Sequence, residues 1–365
     1  MAPLEPWEKV LVNADFMNTT HGKMACTDCH QGTQSPDKET AHKGMVLDPS
    51  ADPKGACASC HADIATGYQS GMHNTLGGYW TALDARSIPE NHPALETMYA
   101  NQCSSCHTTC GQCHVSQPAS VGGGFLTGHT FEKTPPMTRT CTACHGSRVG
   151  NEYLGKNGEL PGDVHFRDQR MNCVTCHDAA SMHTTPVDQS ANRYAGAQNP
   201  KCESCHPEVG AAGDTVSQHL LHKDKLSCQV CHSISYTSCD GCHVAVSQET
   251  NLPFYKTDGS YMTFFIGKNA LKSAARPYDY VPVRHIPESV DNFAYYGDNL
   301  LPNFDKLPTW AYATPHNIQL DTPQNESCNS CHGNADIFLT SDKVATDELE
   351  ANKPVIVDLV PAKRP

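Results

Sequence analysis

The stretch CSSCHTTCGQCH, residues 103–114, sets two copies of Cys-x-x-Cys-His almost in contact, with only Thr108 and Thr109 between them. One such motif has several readings: a zinc knuckle, a redox dithiol or an attachment site for a c-type haem. Two in tandem narrow the choice, and the remaining cysteines narrow it further.

Working outward, every cysteine belongs to a copy of the same motif. The copies are Cys26-Thr-Asp-Cys29-His30, Cys57-Ala-Ser-Cys60-His61, Cys103-Ser-Ser-Cys106-His107, Cys110-Gly-Gln-Cys113-His114 and Cys141-Thr-Ala-Cys144-His145. They continue with Cys173-Val-Thr-Cys176-His177, Cys202-Glu-Ser-Cys205-His206, Cys228-Gln-Val-Cys231-His232, Cys239-Asp-Gly-Cys242-His243 and Cys328-Asn-Ser-Cys331-His332. Ten motifs use all 20 cysteines of the 365-residue chain. A disulfide framework has no reason to put His after each second cysteine. Structural zinc sites combine two Cys-x-x-Cys units, or cysteines with spaced histidines, and thioredoxin-like dithiols occur singly. Cys-x-x-Cys-His is instead the attachment signature of haem c. Two thiols add to the two vinyl groups of one porphyrin, and the adjacent His lies beneath the ring to bind iron. The expected cofactor is therefore haem c, ten per chain and covalently attached.

Of the 21 histidines, ten close these motifs and eleven do not. The eleven are His21, His42, His73, His92, His129, His165, His183, His219, His222, His285 and His316. Ten irons with two axial histidines each need ten of them, so one is surplus. Bis-His iron is six-coordinate and low-spin; it passes an electron but offers no open position. The expectation is an electron-transfer protein without catalytic residues. His92 precedes Pro93, which restrains its backbone and weakens it as a ligand candidate. If "SQHLLHKDKL" is helical, His219 and His222 share a face. They would then suit two neighbouring haems, such as those on Cys228–His232 and Cys239–His243.

Hydrophobic residues make up only 38% of the chain, cysteines included. Little aliphatic material remains for a core, so the haems are expected to take its place. With 26 Gly and 25 Pro well spread, the predicted fold is mostly irregular. Short α-helices and a few small β-hairpins wrap around ten covalently bound haems. A net charge of −13 with scattered Lys and Arg argues against nucleic acid as a partner. No run of 18 apolar residues exists, so no transmembrane span is expected. The opening MAPLEPWEKVLVNADF has neither the basic nor the apolar region of a signal peptide; an exported chain would already have lost its leader.

Successive motifs begin 31, 46, 7, 31, 32, 29, 26, 11 and 89 residues apart. The order suggests a region with nine motifs over 1–243, an aromatic-rich insert over 244–327 carrying His285 and His316, and the tenth motif with a C-terminal strand over 328–365. Within the tandem, three extended residues from His107 to Cys110 span at most about 10–11 Å. That tether makes the two porphyrins close neighbours. Asp258-Gly259 and Asn157-Gly158 read as hairpin turns. "KPVIVDLVP" reads as a strand that pairs with an edge, in this subunit or another.

With motifs covering residues 26–332, the chain resembles the multihaem c-type cytochromes, specifically the decahaem proteins of extracellular electron transfer. The resemblance implies export, with haem attachment outside the cytoplasm. It further implies residence at the cell surface or beyond, or alternatively in the periplasm. Its partners would be redox proteins or extracellular electron acceptors. Some members self-associate, and head-to-tail filaments with a continuous run of haems are one form. The function so implied is electron relay along a closely spaced haem chain. The competing expectation is a multihaem reductase of nitrite, hydroxylamine or a sulfur oxyanion with one five-coordinate haem. Such enzymes often end one motif in Lys; all ten motifs here end in His.

Overall fold

Short helices dominate the computed structural model, which describes residues 12–104, 108–183, 199–234, 236–262, 264–286 and 288–365. Cys106 and His107 lie outside these. The motifs nucleate single turns: α-helical at Cys26–His30, Cys110–His114, Cys141–His145, Cys173–Cys176 and Cys228–His232. They are 3-10 at Ala56–Ser59, Cys202–Ser204 and Cys328–Ser330. Residues three apart on such a turn share a face, which brings both thiols to one side. Local caps start several turns. Thr109 accepts from the Gln112 amide at 3.2 Å, and the Gln112 side chain accepts from the Thr109 amide at 3.2 Å. Helices of five residues have no stability of their own in water, so they depend on what they hold or pack against.

The ninth motif departs from this pattern. It lies on strand β1 (Tyr236–Val246), antiparallel to β2 (Pro253–Met262), with the register shifting between Asp240 and His243. The hairpin expected to turn at Asp258-Gly259 is not the one found: these residues sit inside β2, opposite Asp240 and Cys239. The chain reverses over 247–252 instead. There the Ser247 amide donates to Leu252 O at 3.0 Å, and Asn251 takes φ +55°. The Ser247 hydroxyl accepts from the Glu249 and Thr250 amides at 3.3 Å each. That loop satisfies its own backbone, which the Asp-Gly signal does not weigh.

A second sheet runs in the order β3 (Phe265–Lys268), β4 (Tyr280–His285), β5 (Trp310–Tyr312), all antiparallel. The C-terminal stretch expected as a strand packs on its own chain. Single bonds hold it: Val357 N to Leu339 O and Lys268 N to Val355 O, both 2.8 Å. The second expected hairpin is absent. Around Asn157-Gly158 a loop links helices Asn151–Tyr153 and Val164–Gln169. Pro161 has no N–H for a ladder, and Asp163 is committed to capping the second helix.

The chain forms two compact units. One comprises Met1–Leu76, Ser104–Gly146 and Asn172–Val187; the other comprises Gly77–Cys103, Ser147–Met171 and Asp188–Pro365. The apolar clusters belong to the second unit. One gathers Val281, Val283, Trp310, Leu339 and Val355; another gathers Leu83, Leu95, Met98, Phe293 and Leu301; a third gathers Val230, Ile266, Phe338 and Val357. Among the described residues of the first unit, the buried apolar side chains are Ala65, Tyr68, Val115 and Leu126. No helix among the described residues is long and apolar enough to cross a membrane.

Candidate cofactor-binding centres

Seven pairs of imidazole rings face each other across a nearly constant gap. In the first unit they are His21 and His61 (6.2 Å between ring centroids), His30 and His129 (5.8 Å), His73 and His145 (6.1 Å), and His114 and His183 (6.0 Å). In the second they are His165 and His206 (6.2 Å), His219 and His232 (6.1 Å), and His222 and His332 (6.3 Å). Each pair joins one motif histidine to one of the eleven others. Rings stacked directly on each other lie closer, as His21 and Phe131 do at 4.0 Å. An imidazole nitrogen about 2.0–2.1 Å from a metal, plus about 1.1 Å from nitrogen to ring centre, accounts for about 6 Å when taken twice.

The nitrogens are aimed for that role. Nδ1 of His30, His114, His232 and His332 donates to the carbonyls of Val46 (2.8 Å), Glu132 (2.7 Å), Gln319 (3.1 Å) and Ala362 (3.0 Å). Among the opposing rings, Nδ1 of His165 donates to Asp163 Oδ1 at 3.0 Å, that of His219 to Asp214 Oδ2 at 2.9 Å, and that of His222 to Gln218 O at 3.0 Å. With the proton on Nδ1, Nε2 carries the lone pair, which is the ligating tautomer. Local structure builds these partners. Asp163 is 1% exposed and holds both the His165 ring and the amides that begin helix Val164–Gln169. Asp214 is fixed by the Gly210 and Val216 amides.

Burial keeps several of these rings neutral. It lowers the pKa of His21, His129, His145 and His183, with neighbouring imidazoles adding to the effect. His73 is held down to about 4, by burial first and then by His145, His177 and His183. A neutral ring is the form a metal takes.

Helix Ser217–His222 presents His219 and His222 one turn apart. His219 meets His232, as the sequence suggested. His222 meets His332 of the tenth motif rather than His243. The reason lies in the loop before the tenth motif: Thr322 Oγ1 donates to Cys231 O, and Gln324 Nε2 donates to Ser233 O at 2.7 Å. The loop thereby folds the tenth motif back beside the eighth.

Four other histidines stand elsewhere. His285 is turned the opposite way, with Nε2 on the Glu348 carboxylate at 3.0 and 2.9 Å and its ring stacked on Trp310 at 5.0 Å. His92 Nε2 is buried 3.8 Å from Asp84. His316 Nδ1 lies 3.9 Å from the buried Glu152 carboxylate. His42 is exposed at the end of helix Lys38–His42. Phe131, which sequence reasoning passed over, stacks on His21 at 4.0 Å and meets His129 edge-on at 6.2 Å. Nothing in its local sequence marks it.

The described cysteines carry no disulfide. Thiols of different motifs lie close enough to shift one another's pKa: Cys57 with Cys110, Cys141 with Cys173, and Cys202 with Cys228. The neighbouring thiol, Cys57 or Cys173, lowers Cys110 and Cys141 to about 7. Among the described residues, no group of three or more His, Cys, Asp or Glu side chains is arranged to hold a metal ion. A metal between two facing imidazoles must therefore bring its remaining donors with it. A porphyrin does so with four ring nitrogens, and its two vinyl groups match the two thiols that precede each motif histidine. The residues present fit haem c. No family model, no curated protein and no solved structure matches the chain.

Proposed function

We propose that the chain is a decahaem c-type cytochrome that relays electrons along closely spaced haems outside the cytoplasm. The observation that carries this reading is the set of seven motif-to-non-motif histidine pairs at 5.8–6.3 Å. When bound, haem supplies one-electron exchange between ferric and ferrous iron. The chain's own residues do the rest. Paired thiols fix each group covalently. In the seven pairs the facing imidazoles would hold the iron from both sides and leave no place for a substrate. Nδ1 partners such as Asp163, Asp214 and the Glu132 carbonyl hold ring orientation and raise ligand basicity. Haem attachment outside the cytoplasm would put the chain at the cell surface or beyond, or else in the periplasm, with redox proteins or external acceptors as partners. Head-to-tail self-association would extend the relay.

Low-temperature EPR of the oxidised protein, integrated against total haem, tests the relay function. A wholly low-spin spectrum is expected. A high-spin component equal to about one haem in ten would mean an open iron. It would replace the relay with the reductase reading, and oxyanion substrates would then be assayed.

A further inference from the structure

A short stretch of the second unit, residues 317–319, supports imidazoles of two different centres; this inference rests on the haem reading above. Ile318 forms an antiparallel bridge with Ser233, so the chain is extended there. Successive residues of an extended chain turn their N–H and C=O groups to opposite edges. On one edge, Asn317 and Gln319 face residues 232–234. The Ile234 amide donates to Asn317 O at 3.3 Å, and the Gln319 amide donates to His232 O at 2.8 Å. Gln319 O also accepts from Nδ1 of the His232 ring at 3.1 Å. On the other edge, Ile318 faces residues 163–164. Its amide donates to Asp163 Oδ2 at 2.7 Å, and its carbonyl accepts from the Val164 amide at 3.1 Å. The other oxygen of that carboxylate, Oδ1, accepts from Nδ1 of His165 at 3.0 Å. A single step along the chain thus leads from the support of one imidazole to the support of the other.

Side chains lock this strap in place. Asn317 and Gln319 lie two apart, on the same face of an extended chain, and both are buried although polar. Asn317 Nδ2 donates to Glu152 O at 3.2 Å and to Pro161 O at 2.7 Å. Gln319 Nε2 donates to Gly162 O at 2.9 Å and to Asn317 Oδ1 at 2.6 Å. Arg167 Nη1 donates to Gln319 Oε1 at 3.3 Å. These bonds tie the strap to the segment that carries His165, and a well-satisfied buried network is rigid. Tilting either imidazole off its acceptor moves the same three residues.

His165 faces His206, and His232 faces His219, so the strap serves the seventh and eighth motifs together. We propose that Asn317 and Gln319 are positioning residues for both centres at once. They act on His165 through Asp163 and on His232 through the Gln319 carbonyl. An Nδ1 partner sets ring orientation and ligand basicity, so both properties are set jointly at two irons. Nδ1 of His30, His114, His222 and His332 is held by other carbonyls, which makes those centres internal controls.

Asn317→Ala and Gln319→Ala in the haem-loaded mature chain test the proposal. His165→Ala and His219→Ala, each removing one low-spin EPR signal, assign the two centres. Each strap variant is expected to keep its haems and its low-spin iron. The g values and reduction potentials of the two assigned centres should shift together, while the control centres stay unchanged. A shift at one centre alone, at neither, or across all centres would overturn the joint role and leave the haem reading intact. Where a variant does not fold, hydrogen exchange in the unaltered protein decides. The Ile318 and Gln319 amides, which face different centres, should exchange at one common rate, as members of one cooperative unit. Separate rates would overturn the strap. An unaltered mature chain whose intact mass shows no added haem would overturn the haem reading and this proposal with it.

Discussion

Val281, Val283 and Leu339 are wholly buried in the second unit, inside a cluster that also takes in Trp310, Tyr312 and Ile356. In the first unit the described buried apolar side chains are Ala65, Tyr68, Val115 and Leu126, and they gather into no such cluster. Yet the first unit holds four of the seven facing histidine pairs. The second unit has two sources of cohesion, apolar burial and the cofactors it is proposed to hold. The first has essentially one. Its described helices are short, the longest being Ala62–Ser70. On the proposed reading, the porphyrins would be its hydrophobic core as well as its redox centres.

The largest consequence concerns a chain made without haem attachment. Its first unit should lose protection from hydrogen exchange throughout, because binding energy and folding energy are the same quantity there. The second unit's sheet, β3 to β5, should retain slow amides. Equal protection in both units would erase the contrast. A matched pair of substitutions sharpens it in the mature protein. Leu339→Ala should cost about 2–5 kcal/mol by denaturant titration. Leu126→Ala, at a residue that joins none of the described apolar clusters, should cost less than about 2 kcal/mol. Similar costs at the two sites would mean that the first unit has a conventional core after all.

Smaller effects separate individual centres. The rings of His73 and His145 cross at 87°, whereas those of His114 and His183 lie 25° apart. Crossed axial rings leave two iron d orbitals nearly degenerate, so this centre should give a low-spin EPR signal of wider anisotropy than its neighbour. His73→Ala should abolish that signal and turn about one haem in ten high-spin. Loss of the narrower signal instead would reassign the pair. The smallest effect is expected at His285, whose Nε2 is already engaged by Glu348. His285→Gln should leave haem content and spin state unchanged and cost less than about 1 kcal/mol. The appearance of high-spin iron would make His285 a ligand and move the surplus to another histidine.

The motif thiols and their adjacent histidines stand out in the sequence because the haem attachment proposed for them needs fixed spacing within five residues. The opposing histidines were legible as a set but not as pairs. His73 reaches His145, and His222 reaches His332, through the tertiary path of loops such as the one around Thr322 and Gln324. No local pattern encodes that path. The short helices followed from composition and motif geometry. The hairpin expected to turn at Asp258-Gly259 is not found: both residues lie inside β2, whose partner β1 carries the ninth motif and does not read as a strand, and the chain reverses over 247–252. The apolar clusters of the second unit were missed because their members come from separated stretches, such as Leu83, Phe293 and Leu301.

The most direct test of the central claim is the intact mass of the mature chain, read together with its pyridine haemochrome spectrum. Ten haem c groups per polypeptide are expected, with all 20 cysteines consumed in thioether bonds and none open to alkylation. A chain that carries zinc or disulfides at these motifs, with reactive or oxidised thiols in place of haem, would contradict it.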